Sequence, residues 1–217
     1  MSHITLIRHG QANSNATDEA SYDRLSALGR QQSAWLGLHL KAQQQHHTRL
    51  FTGTLQRHIK TADAMETGLE PVVDARLNEL EYLTMAQAMQ DELGVPMPTD
   101  QAGFVEHLPQ LFTAWQRDEI NGAPERFAEF DARVSDVLQE IAGGEGPALV
   151  VTSGGLISCV MRQALRLDIA AMAQLALAIY NSSQHRLFPI GGRLSPTLFN
   201  AIPHLEDPDR QHAQTHV

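Results

Sequence analysis

The sequence predicts an α/β fold of three layers: a mostly parallel central sheet, helices on both faces, and a helical insertion over the site. Three observations lead there. Apolar runs of strand length at Ile4–Ile7 and Arg49–Gly53 are each followed by a stretch of helical period, and strand then helix, repeated, points to a parallel sheet. A third run, Ala148–Thr152, is apolar nearly throughout, as a strand buried on both faces must be. It turns through Ser153-Gly154-Gly155 directly into another helical stretch. With 217 residues and 42% apolar content, the chain can bury a full core without staples or metal.

Taken in order, the first strand gives way to a polar loop, Gln11 to Arg24, and Ser26 then caps a helix reaching about Gln43, with Trp35, Leu36, Leu38 and Leu40 as its apolar bulk. After the second strand, Thr54 is placed to cap a helix on which Leu55, Ile59, Ala62 and Met65 recur at helical spacing. Arg57 falls in the first turn of that helix, where the macrodipole disfavours a cation by roughly 0.3–1 kcal/mol. Either its stem leads the charge away or an anion compensates it.

Pro71–Asp74 reads as a third short strand, and Tyr82–Ile120 as a helical insertion. The stripe Phe104, Leu108, Leu111, Phe112 and Trp115 serves as core and lid together. Residues 125–142 keep the 3.6-residue period most clearly, through Phe127, Phe130, Val134, Val137, Leu138 and Ile141. Gly143–Pro147 ends that helix as a turn, since no Gly-Lys-Ser/Thr follows and no strand precedes it. A helix over Leu156–Leu167 follows the third run. Ala176–Tyr180 reads as a further strand, and Arg186–Pro189 pairs with Leu194–Ile202 around Ile190-Gly191-Gly192-Arg193. The reading is one domain over residues 1–205 and a polar, fraying tail over 206–217.

Charge and composition narrow the function. A formal net charge of −9 and a pI near 5.6 exclude a broad basic surface for nucleic acid or acidic lipid, so any anionic ligand is small. Cys159, the only cysteine, lies in an apolar run and reads as a buried thiol. The first strand starts right after Met1-Ser2-His3, and the apolar stretch 167–180 is short and interrupted by Asp168 and Gln174. The expectation is therefore no membrane span and a cytoplasmic location. Sequence sets no oligomeric state.

Parallel sheets bind ligands outside the carboxyl ends of their strands. Three such ends carry Arg8-His9-Gly10, the Gly53–Arg57 turn and Ser153-Gly154-Gly155. A cation and an imidazole at a strand end suggest an anion site with a nucleophile, and Gly10 suggests a sharp backbone turn. His58 and His185 are candidates to face the same pocket, while His46-His47 reads as a solvated pair.

At this point the chain resembles the histidine phosphatase superfamily, also called phosphoglycerate mutase-like. Arg8-His9-Gly10 resembles its signature, Asn15 its phosphate-touching asparagine, and Leu25–Gln32 its first helix start. Phe51–Arg57 followed by Thr61-Ala62 is similar to the stretch bearing its second arginine, with Gly53-Thr54 where the family has Ser-Pro. Leu77-Asn78-Glu79 resembles its acid motif and Phe199–Leu205 its closing segment. The resemblance implies phosphoryl transfer from a small phosphomonoester through a phosphohistidine at His9, with no cofactor and no metal. Arg8, Arg57, Asn15, Gln11, Ser153 and Gly154 would bind the phosphoryl group, and Glu79 would act as acid and base, with Glu81 its rival. The family's second histidine is replaced here by Ser153, which lowers the expected rate by up to about 10²–10³. A non-catalytic anion- or phosphometabolite-binding regulator on the same fold, a mutase, and a serine hydrolase with Ser153 at a nucleophile elbow are the competing readings.

Overall fold

The computed structural model describes residues 2–13, 16, 18–44 and 46–216. In chain order its elements are β1 (Ile4–Arg8), α1 (Glu19–Tyr22), α2 (Ala27–Ala42), β2 (Arg49–Thr52), α3 (Gln56–Met65), β3 (Pro71–Val73), α4 (Tyr82–Leu93), α5 (Gln101–Gln116), α6 (Phe127–Gly143), β4 (Ala148–Thr152), α7 (Gly154–Leu165), α8 (Ile169–Ala178), β5 (Gln184–Ile190) and β6 (Arg193–Ala201). One sheet takes the order β3-β2-β4-β1-β5-β6. Its first four strands pair in parallel, and β5 and β6 add antiparallel to the free side of β1.

The period-2 alternation of strand side chains sorts the core into two layers. Ile7, Leu149 and Val151 face α2 and α3 and pack on Leu36, Leu40, Ala62 and Met65. Their neighbours Ile4, Leu6, Ala148 and Val150 face the other way, into a larger cluster that takes in Phe130, Val134, Leu156 and the α4–α5 insertion through Met85, Leu111 and Trp115. Both faces are covered, as a parallel sheet requires. Among the described residues no helix is long and apolar enough to cross a membrane. Cys159 is buried, as expected, with its thiol toward Asp131.

Ser26 caps α2 by accepting from the Gly29 amide, as expected. Four expectations are corrected. Thr54 does not cap α3. The helix starts at Gln56, Thr54 is engaged with Asn78 through two hydrogen bonds, and the carboxylate of Asp23 takes the amides of Gln56 and Arg57 at 2.8 and 3.0 Å. Ala176–Tyr180 is no strand. Asp168 caps α8 at the Ala171 amide, and the Ala/Leu-rich run continues that helix to Ala178. The tail is not frayed over its described residues: Pro208–Ala213 forms a 3-10 helix, and Thr215 exchanges hydrogen bonds with Asn181 through both backbone and side chain. His47 is not solvated either, since its Nε2 meets Thr5 Oγ1 at 3.1 Å and its ring packs against His3.

Candidate active site

β1 runs in the interior of the sheet, so its carboxyl end opens onto the protein rather than onto solvent. The His9 amide donates to Thr152 O at 2.8 Å, locking that end to the end of β4. The His9 ring is 1% exposed, and its Nδ1 lies 2.7 Å from Gly10 O. A carbonyl can only accept, so Nδ1 carries the proton and Nε2 is left with its lone pair. Burial, then the charges of Arg57 and Arg8 and the neighbouring His58, hold the imidazole well below its usual range and so keep it neutral. Gly10 does not have positive φ. It is required because a Cβ there would lie 2.2 Å from Gly29 O, where the loop crosses the start of α2.

Arg8 donates to the carbonyls of Ile179 and His216, the latter at 2.7 Å, so the residue that caps the end of α8 and one from the segment after residue 213 aim it. Arg57 is 2% exposed and paired with Asp23 at 3.2 Å, with its guanidinium 4.8 Å from the Tyr22 ring centroid. The anion that compensates this first-turn cation is therefore the protein's own Asp23, which satisfies the helix amides at the same time. Tyr22 ends α1 and Asp23 follows it, in a polar stretch with nothing in its local sequence to mark them. Their use depends on a partner more than thirty residues away.

Glu79 comes off the loop after β3 and is fixed by the amides of Gly155 and Leu80, at 2.8 and 3.1 Å. Burial raises its pKa; the Gly155 amide and the charge of Arg57 oppose that shift. Glu81 is exposed at the start of α4 and turned to Thr84. Gln11 holds Ser26 Oγ with its side-chain oxygen at 2.9 Å. Asn15 lies outside the described residues.

Arg8, His9, Gln11, Arg57, Glu79 and Gly154 all line one cavity of about 550 Å³. Asn181, Thr215 and His216 close one side of it and Tyr22 another, none of which the sequence marked as site residues. Leu80 lines it beside Glu79, and Tyr82, Leu83, Met97–Gln101, Phe104, Leu108 and Phe112 form the wall given by the insertion.

Ser153 is in a different situation. It is fully buried and absent from the cavity lining, with its Oγ 2.6 Å from Nε2 of His58, itself fully buried. The His58 and His9 rings lie 5.7 Å apart between centroids. Gly53 makes this possible, because a Cβ there would lie 2.4 Å from His58 Nδ1. The volume beside Ser153 thus holds an imidazole brought from α3. His185, the other candidate, is buried in β5 and satisfied by Ser183 Oγ and the Asn200 amide. The Ser153–His58 pair is no hydrolase dyad: it does not reach the cavity, and His58 Nδ1 has no carboxylate to orient it.

A family model described as "Histidine phosphatase superfamily (branch 1)" matches residues 4–201. No curated protein matches the chain by sequence. Among solved structures, a phosphoserine phosphatase mutant from Entamoeba histolytica in complex with phosphoserine superposes with a TM-score of 0.70 at 14% identity, covering 94% of this chain and 100% of that one. A mycobacterial glucosyl-3-phosphoglycerate phosphatase gives 0.64 at 25% identity, with 93% and 99% covered. A phosphoglycerate mutase from Bacillus anthracis str. Sterne gives 0.69 at 21%, with 94% of each chain covered.

Proposed function

The chain belongs to the histidine phosphatase superfamily, and from that premise we propose that it hydrolyses small phosphomonoesters by two-step phosphoryl transfer through His9. The observation that carries this reading is the Nδ1–Gly10 O hydrogen bond, which leaves Nε2 of a neutral, buried imidazole as the free nitrogen beside two arginines. Arg8 and Arg57 neutralise the non-bridging oxygens, and Gln11, Asn15 and the Gly154 end of α7 add directional donors. His9 Nε2 attacks phosphorus in line while protonated Glu79 gives its proton to the departing oxygen. The Glu79 carboxylate then takes a proton from water as that water attacks the phosphohistidine, which releases inorganic phosphate and restores His9. Burial of Glu79 supports its acid role, since its raised pKa keeps more of it protonated.

Ser153 stands where the family's second histidine would be, and it brings neither charge nor access to the cavity. This supports turnover below that of a two-histidine site by up to about 10²–10³. The phosphatases among the structural relatives fit a monoester substrate better than a mutase reaction, which must retain the phosphoenzyme and rebind product. The buried Ser153–His58 pair also favours a second reading, a phosphometabolite-binding protein without turnover.

The test is to incubate the protein with a panel of phosphomonoesters, follow phosphate release and quench for a phosphoenzyme. Base-stable, acid-labile label on His9 is expected, and none on His9→Ala. Binding of inorganic phosphate by calorimetry with neither release nor label would leave the second reading standing instead.

A further inference from the structure

The cavity has two chemically distinct ends. At one lie Arg8, His9 and Arg57; the other is walled by the insertion through Leu83, Met97, Pro98, Phe104, Leu108 and Phe112. Phe104 meets Tyr82 edge to face at 4.9 Å between centroids, and the Tyr82 hydroxyl is turned away to His107 Nδ1 at 3.0 Å. The wall therefore presents mainly ring edges and methyl groups, and its polar members, Thr99, Asp100 and Gln101, include no cation.

Charge follows the same division. Among the described residues, Arg8 and Arg57 are the only arginines lining the cavity and no lysine lines it. His216 stands at the Arg8 end, where its carbonyl accepts from that guanidinium. Besides Glu79, the carboxylates that line the cavity are Glu19 and Asp100, each occupied by a backbone amide, of Leu83 and Gly103. The cation of the Gln11–Arg24 loop, Arg24, is exposed and does not line the cavity. A substrate with a second anionic group would have to place it with no cation to pair it, among largely apolar groups and near these carboxylates, which is unfavourable. An apolar leaving group would instead lose water against a wall matched to it, and an aromatic one would gain edge-to-face contacts.

We propose that this site, read as a phosphatase site, selects phosphomonoesters whose leaving group is uncharged and apolar, aromatic or alkyl, and discriminates against those bearing a second anion such as a carboxylate. A cavity of about 550 Å³ has room for a ring beyond the phosphoryl group. The selection rests on the insertion, so it belongs to this chain's own wall and not to the strand ends.

The experiment pairs binding with turnover. Binding is measured by calorimetry with two phosphonates that cannot be hydrolysed, 2-phenylethylphosphonate and 2-carboxyethylphosphonate, matched in linker and differing at the far end. The phenyl compound is expected to bind about tenfold or more tightly, and equal or reversed affinities would overturn the proposal whether or not the protein turns over. Turnover is measured with 2-phenylethyl phosphate and 3-phosphoglycerate, both esters of alcohols, so leaving-group acidity does not decide the outcome. The same order is expected in kcat/KM. Hydrolysis of neither ester, with the phenyl preference intact in binding, would sink the phosphatase reading and leave the selectivity standing. Hydrolysis with 3-phosphoglycerate preferred would do the reverse. Phe104→Arg, which puts a cation on the wall, is expected to move the affinity ratio at least about fivefold toward the carboxylate, while a ratio that does not move would refute the role given to this wall.

Discussion

At the phosphate end of the cavity, each reactive residue is held by hydrogen bonds, most of them from distant parts of the chain. His9 is held by Gly10 and Thr152, Arg8 by residues 179 and 216, Arg57 by Asp23, and Glu79 by Gly155. At the insertion end, Met97, Phe104, Leu108 and Phe112 are apolar groups that form part of the cavity wall and the larger core. A hydrogen bond fixes distance and direction, whereas apolar packing tolerates exchange of shape at similar volume. The first end therefore suits a chemistry that fails when displaced by an ångström. The second suits a preference that changes by degrees.

This contrast makes graded expectations. His9→Ala is expected to lower turnover of every substrate by at least about 10³-fold and to remove the trapped phosphate. A substrate-dependent loss would mean that the phosphate end is not the common chemical element. Arg57→Lys keeps charge but not the planar fork that faces Asp23. A fall in kcat/KM of about 10²–10³ is expected, equal for apolar and polar esters, as read from steady-state kinetics.

Ser153→His alone is expected to fail, because His58 Nε2 already lies 2.6 Å from the serine oxygen. The pair His58→Ala with Ser153→His opens that space. It is expected to exceed Ser153→His by about tenfold in kcat at comparable stability. Equal rates in the two variants, both folded by circular dichroism, would show that an imidazole from β4 brings nothing here.

The buried imidazoles also set how stability responds to acid. Burial lowers the pKa of His185 and His204 to about 3, so each remains neutral in the folded protein while its unfolded counterpart titrates near 6.5. The unfolded state then binds more protons below pH 6.5, and the stability that these groups contribute above that pH is lost as pH falls toward 3. Each contributes a slope of about 1.4 kcal/mol per pH unit. Urea unfolding at pH 7, 6 and 5 should show the decline between the last two. Smallest of all, Phe104→Ala is expected to cost an apolar ester about tenfold in kcat/KM and 3-phosphoglycerate little. Equal losses would merge the two ends into one functional unit.

The same division governs what could be seen in the sequence. The strand-then-helix alternation behind a parallel sheet, the period of α6 and the Arg8-His9, Arg57 and Glu79 motifs are legible because each is a local pattern. His58 was visible as a candidate, but its partner Ser153 lies 95 residues away, and no local pattern says that a glycine at 53 exists to admit the ring. Asp23 is similar: a lone aspartate in a polar loop carries no sign that it will cap a helix across the fold. Ala176–Tyr180 was misread because a run of Ala and Leu satisfies both periods, and only the Asp168 cap decides for a helix. The tail looked dispensable by composition, since polar residues that bond to backbone cannot be told from polar residues that bond to water.

That tail has a practical consequence. Thr215 and His216 are wall residues of the cavity, and the His216 carbonyl accepts from Arg8 and helps to aim it. Anything that displaces residues 215 and 216, such as a bulky group attached beside them, therefore disturbs one side of the pocket and the aim of Arg8 together.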